Sequence, residues 1–210
     1  MKINSVIKTL VMSDFVINSA FGLSAPIFAI FLVDNIQGGN AEVAGFAASV
    51  YWIAKSFLQL PIAEFLDKTD GEKDDFVVLV CGQVIASFSL FMYIFATLPW
   101  HIYAIEAFLG ASMAFAVPAW YGIFTRHIDS GRTSFEWSLE SVFSVGVATA
   151  ISSALGGIIA NRYGFNVLFV GAGLWALLGA LSLILLYPHL KKSDGKGETF
   201  ETVEERAKII

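Results

Sequence analysis

One cysteine, three histidines and five prolines are all that this 210-residue chain holds of those residue types, and each scarcity removes a class of chemistry. A lone Cys81 cannot close an intramolecular disulfide, so nothing points to an oxidising compartment. It falls in an apolar run, where it reads as a small packing residue. His101, His127 and His189 stand far apart and lack metal-ligand spacing, so no metal is expected. Gly171-Ala172-Gly173 is two-thirds of a dinucleotide fingerprint, lies inside an apolar run and follows no strand. There is no G-x-S-x-G nucleophile elbow. No cofactor is expected, and enzymatic activity survives only as a site assembled from distant residues. A net charge of -5 without a basic, aromatic-interleaved stripe argues against nucleic acid as a partner.

Charge is also scarce, at 15% of residues against 56% hydrophobic, and it is crowded into short stretches. That distribution belongs to a membrane protein. Crossing a hydrocarbon core of about 30 Å takes about 20 apolar helical residues. Six such runs fit, at residues 9–33, 43–66, 76–98, 101–125, 137–160 and 165–187. They are too long and too evenly apolar for the alternating ten-residue strands of a membrane barrel. The first run follows Lys2 and Lys8 but contains Asp14 and Asn18 and is long for a cleaved leader, so it reads as a retained helix. The expected fold is thus all-α and integral to the membrane. Residues 1–187 form its six-helix domain, and residues 188–210 form a polar tail that is either a short amphipathic helix or disordered.

Lysine and arginine accumulate on the cytoplasmic side of membrane proteins. Counted over alternate connections, one side collects eleven: Lys2, Lys8, Lys68, Lys73, Arg126, Arg132, Lys191, Lys192, Lys196, Arg206 and Lys208. The other side has Arg162, and Lys55 lies within a span. Both termini, a loop of residues 67–75 and a loop of residues 126–136 are therefore expected in the cytoplasm, with the chain in the cell (inner or plasma) membrane. The external connections are short. A three-plus-three repeat is also visible. Asp14 lies twelve residues before Pro26 in the first span, and Glu106 lies twelve before Pro118 in the fourth. Likewise Leu66-Asp67-Lys68 with Gly71 parallels Ala160-Asn161-Arg162 with Gly164. Inverted three-helix repeats of this kind underlie many secondary transporters.

An ionisable side chain near the bilayer centre costs several kcal/mol unless paired or wetted, so it suggests a substrate or proton path. Lys55 sits near the midplane of the second span. Asn18 and Gln83 fall at similar depth, and Gln59 lies one turn away on the same face. These residues make a candidate site in which Lys55 binds an anionic group or pairs with a carboxylate, the alternative being a structural pair inside the bundle. Asp14 and Glu106 are candidate proton carriers; against this, Asp14 is also placed to be solvated at the interface and Glu106 to pair with Lys55. Glu64 and Glu140, nearer the inner ends, read as interfacial. Stripes at four-residue spacing, Gly146-Ala150-Ala154 and Ser152-Gly156-Ala160, read as packing faces, and Pro26, Pro61 and Pro118 as kinks.

These residues carry a family resemblance. Asp14-Phe-x-x-Asn18-x-x-x-Gly22-Leu23-x-x-Pro26, then Pro61-x-Ala63-x-x-x-Asp67-Lys68-x-x-Gly71, resemble the N-terminal half of the major facilitator superfamily. The second segment is similar to the family's cytoplasmic signature loop, with Asp67, Lys68 and Gly71 as its residues. Ala63 replaces a glycine, one residue is inserted before Gly71, and Glu72 replaces a base. Glu106-x-x-x-Gly110 leading to Pro118 resembles the fourth helix, with Glu106 where proton-coupled members often carry arginine. Gly156-Gly157, Gly164-Phe165 and Phe169 resemble the passage from the fifth helix to the sixth, with Ser153 where the antiporter motif's proline would lie. The resemblance spans residues 10–187. It implies a major facilitator half built of two inverted three-helix repeats. If the chain is complete, its transport cavity needs a second copy of itself or a separate six-helix half; the other reading is one half of a split or truncated transporter.

The expected function is therefore a half-size secondary transporter of a small solute, embedded in the lipid bilayer and working as a homodimer or with a partner half. The substrate contacts would be Lys55, Asn18, Gln59, Gln83 and Glu106, with proton coupling at Asp14 or Glu106. The rival is a non-transporting accessory or scaffold protein of the same fold.

Overall fold

In the computed structural model the chain is described over residues 3–68 and 71–190. Every regular element among those residues is helical. Six helices are long and apolar enough to cross a membrane: α1 (Ser5–Asn35), α2 (Ala41–Lys68), α3 (Glu72–Phe95), α4 (Pro99–His127), α5 (Thr133–Tyr163) and α6 (Phe165–His189). These are the six expected runs in the expected order, extended at most ends by polar residues that can enter a helix at little cost. The expected tail of residues 188–210 lies mostly outside the described residues, as do Thr69 and Asp70.

The extensions have local causes. Asn4 Oδ1 accepts the Val6 N–H at 2.9 Å and opens α1, and Asn40 Oδ1 accepts the Val43 N–H at 3.0 Å and opens α2. Pro99 sits in the first turn of α4, where its missing N–H costs nothing. Between α5 and α6 the chain turns on Gly164, whose φ of +84° suits a residue without Cβ.

The two expected loops are shorter than the sequence suggested. The stretch of residues 67–75 is helical to Lys68 and again from Glu72. Glu72, Asp74 and Asp75 fill the first turn of α3, where carboxylates meet the positive end of the helix dipole. The loop of residues 126–136 shrinks to residues 128–132, because Glu136 joins the first turn of α5 and accepts the Asp129 N–H at 3.2 Å.

Two helices are irregular. At Pro26 the α geometry of α1 gives way to a 3-10 turn over Ala25–Ile27, whereas Pro61 and Pro118 remain inside α2 and α4. The second irregularity has no proline: α5 widens to a π-helix over Glu140–Val147.

The packing follows the repeat. α1 packs on α5 and α6, α4 packs on α2 and α3, and α3 meets α6. Each half's first helix is therefore inserted against the other half, and exchanging helices one, two and three with four, five and six reproduces the pattern. Because each repeat crosses three times, the two run in opposite senses across the bundle. Gly156 lies so close to the Leu23 backbone that a Cβ there would fall 1.8 Å from the Leu23 carbonyl oxygen, and Gly110 meets the Tyr51 backbone similarly. Small residues set both contacts.

The core is split. One apolar cluster, with Ile7, Leu10, Leu79, Phe124 and Leu186, fills the end where α1 begins and α6 finishes. Another, with Phe31, Leu32, Ile102 and Phe169, fills the opposite end. Large apolar side chains also cover the outside, as lipid requires: Phe57, Leu60 and Leu185 are all well exposed. Cys81, expected as a packing residue, is exposed on α3. Between the two clusters lies the polar middle of the bundle.

Candidate functional site

Asn18 occupies the centre of that middle. One turn before it on α1 is Asp14, and the Asn18 amide donates to the Asp14 carboxylate at 3.2 Å. Glu140 comes from the π-segment of α5 and lines the same cavity as Asp14, so two acid side chains share one lining across the α1–α5 contact. Ser144 Oγ lies 2.7 Å from Glu140 Oε2 and 3.0 Å from the Val11 carbonyl oxygen, pinning the π-segment to α1.

Asp14, Asn18 and Glu140 line a cavity of about 320 Å³ with Gln83, Met113, Trp120 and Trp137. Gln83 and Trp120 are buried, and Gln83 Oε1 and Trp120 Nε1 have no hydrogen-bond partner among the described residues. Leaving such atoms unmade costs about 1–3 kcal/mol each, which a solute or water would recover.

A second cavity, of about 410 Å³, begins on the other side of Asn18 and Met113, which line both. Its walls come from α1, α2, α3 and α4, including Phe21, Phe28, Tyr51, Trp52 and Tyr93. Glu106 projects into this aromatic wall and is only 8% exposed. The Tyr93 hydroxyl donates to Glu106 Oε1 at 2.9 Å, and the Phe28 ring meets Tyr93 edge-on at 5.3 Å. Among the described residues, no lysine or arginine lines either cavity.

A family model of the Major Facilitator Superfamily matches residues 10–209. The chain belongs to that superfamily. It is also similar to a curated protein of Methanocaldococcus jannaschii described as an uncharacterized MFS-type transporter. Identity is 26% over 170 residues, which are 81% of this chain and 42% of the relative. The chain thus spans about two-fifths of the length of the curated relative it matches.

In this Major Facilitator Superfamily chain the expected site residues are partly assembled. Asn18 and Gln83 share the first cavity with Asp14, and Asn18 and Glu106 share the second. Lys55 stands outside both linings, its ammonium 4.9 Å from the Trp52 ring centroid and 5.9 Å from that of Tyr51. Glu106 forms no ion pair with it among the described residues; its partner is Tyr93. Gln59 lines neither cavity.

The signature residues Asp67 and Lys68 close α2, where Lys68 pairs with Glu64 at 2.6 Å on the surface, and Gly71 precedes α3. The stronger ionic cluster at that end joins α3 to α4. Arg126 bonds Asp75 and lies 3.7 Å from Glu72, whose other oxygen is 3.7 Å from His127.

Glu140 is the main correction. Expected at the interface, it is buried against α1, because the π-segment sets α5 against that helix. Its signal in the sequence was depth: Asp14 and Glu140 lie roughly 14 Å and 10 Å from the starts of their helices at about 1.5 Å per residue.

Proposed function

We propose that this chain is one six-helix half of a secondary transporter, and that a small solute passes through the two cavities that share Asn18 and Met113. The observation that carries the reading is a polar, incompletely hydrogen-bonded middle flanked by two apolar plugs, within the transporter superfamily to which the chain belongs. Asn18, Gln83 and Glu106 are the solute contacts. The acid pair Asp14–Glu140 is the proton-coupling group, since two carboxyl groups lining one cavity inside the bundle can take up and release a proton as the cavity opens. Lys55 borders the site through Trp52. The bundle sits in the cell membrane with both termini cytoplasmic, as the lysine and arginine asymmetry supports.

The second half of the cavity comes from another copy or a separate six-helix partner. Of the apolar core of each helix, 11% is buried in α2 and 22% in α5, against 33% to 50% in the other four. The open face of α5 carries Gly146, Ala150 and Ala154, small residues that suit contact with another helix.

The test is thiol labelling at Asn18→Cys in a Cys81→Ser background, in sealed vesicles with membrane-impermeant reagents from each side. Labelling from one or both faces supports an aqueous solute path. An unreactive thiol in folded, inserted protein favours the rival role of a non-transporting accessory subunit.

A further inference from the structure

We infer that the solute is an organic cation, held at the cavity shared by α1, α2, α3 and α4 by the Glu106 carboxylate and the faces of Tyr51, Trp52 and Phe28. The inference rests on the reading that this cavity takes a solute, and it names the solute's chemical class.

Three observations converge. First, the charge available inside is of one sign. Glu106 lines the larger cavity and Asp14 and Glu140 line the smaller, with no lysine or arginine in either lining among the described residues. An anion entering there would meet carboxyl groups in the lining, with the Lys55 ammonium standing outside it, at a cost that grows as water is excluded.

Second, Glu106 is only half used. Tyr93 donates to Oε1, and Oε2 has no hydrogen-bond partner among the described residues. A buried carboxylate of this kind offers one fixed contact for an ammonium group.

Third, the same lining is rich in aromatic rings, and two of them, Tyr51 and Trp52, already hold a cation. The Lys55 ammonium lies within about 6 Å of the ring centres of both Tyr51 and Trp52, the reach of a cation–π contact. Tyr51 and Trp52 also line the cavity. Lys55 therefore shows what these rings attract without itself occupying the site. A volume of about 410 Å³ suits a small amphipathic molecule. The expected ligand carries a substituted ammonium beside Glu106 and an apolar or aromatic body among Phe21, Phe28 and Trp52.

The reading reverses the role that the sequence suggested for Lys55. If Lys55 bound an anionic group, its removal would abolish binding. If the cavity binds a cation, Lys55 is a neighbouring like charge, and its removal strengthens binding.

The test is equilibrium dialysis of labelled phenyltrimethylammonium against the full chain in lipid nanodiscs, with benzenesulfonate as the anionic counterpart. The expected result is saturable binding of the cation and none of the sulfonate. Glu106→Gln, which keeps an acceptor for the Tyr93 hydroxyl, should weaken the cation at least tenfold. Glu106→Asp should retain most of the affinity, and Lys55→Met should leave it equal or tighten it a few-fold. Trp52→Ala should weaken it several-fold, more than Trp52→Phe.

Binding of benzenesulfonate that is lost in Lys55→Met would overturn the proposal. So would absence of saturable phenyltrimethylammonium binding, or affinity within twofold of wild type in folded Glu106→Gln protein. Because the assay needs no transport, cation binding without a water-accessible path through position 18 would sink the transport reading and keep the ligand class. An accessible path with no cation binding would do the reverse.

Discussion

Arg126 shows what one residue holds together at the end where α1 begins and α6 finishes. It links Asp75 and Glu72 of α3 to α4, and both carboxylates are buried while the arginine side chain is 44% exposed. Arg126→Ala would leave the buried Asp75 carboxylate without its cation and remove one of the cations beside Glu72. The expected loss is about 1–3 kcal/mol, below the roughly 3–5 of a fully buried pair because solvent reaches the guanidinium. Thermal unfolding in detergent should show a lower midpoint, and Asp75→Asn in the same chain should recover part of it. A midpoint unchanged from wild type would mean that the cluster is not structural. None of this was legible beforehand, because Glu72 and Asp75 read as loop charges until α4 brings Arg126 to them. The same holds for Glu106: its depth in the fourth span is plain in the sequence, but its partner Tyr93 closes α3 and meets it only through tertiary packing. Residue-level depth survives projection onto a sequence, whereas pairing across helices does not.

At the scale of elements, lipid makes the sequence easy to read, since each crossing must be long, apolar and helical. The six spans and their order follow from that requirement; the three-plus-three repeat showed instead in the matched spacings of Asp14 to Pro26 and Glu106 to Pro118, and the packing of α1 and α4 obeys it. The π-segment of α5 was invisible because an i→i+5 turn needs no proline or glycine to mark it. Its consequence is large, since it sets Glu140 against Asp14. Deleting Val142, an exposed residue inside the segment, should return α5 to α-helix and turn Glu140 by about 100° relative to the rest of the helix. Cysteines at positions 14 and 140, with Cys81 replaced, should cross-link through a short bifunctional reagent in the parent chain and fail to do so in the deletion. Efficient cross-linking in both would show that the π geometry does not position the pair. The α1–α5 contact provides a second test. Gly156→Val drives a side chain into the Leu23 carbonyl and should abolish monodisperse protein, whereas Gly157→Val meets open space and should be tolerated. Equal behaviour of the two variants would contradict the packing.

Seen whole, the bundle is packed unevenly, and the unevenness bears on how it works. Four helices share the core, while α2 and α5 present most of their surface outward. Lipid alone would accept that arrangement, yet lipid-facing helices have no use for Gly146, Ala150 and Ala154 in register, which leave a groove where large side chains would fill space. Leu178 and Leu181 on α6 show the contrast, being large, apolar and exposed in the manner of a lipid face. A second six-helix unit seated on α2 and α5 would close the cavities that Asn18 joins, because Tyr51 and Trp52 of α2 and Glu140 and Val145 of α5 line their walls. The expectation is therefore asymmetric between the two surfaces. In native-like membranes a cysteine at position 150, with Cys81 replaced, should cross-link to a second copy or to a separate partner, and Ala150→Trp should disrupt that assembly. A cysteine at position 178 should not cross-link, and Leu178→Trp should leave the assembly intact. If both surfaces behave alike, α5 faces lipid, and the cavities must be closed by rearrangement within the six helices themselves.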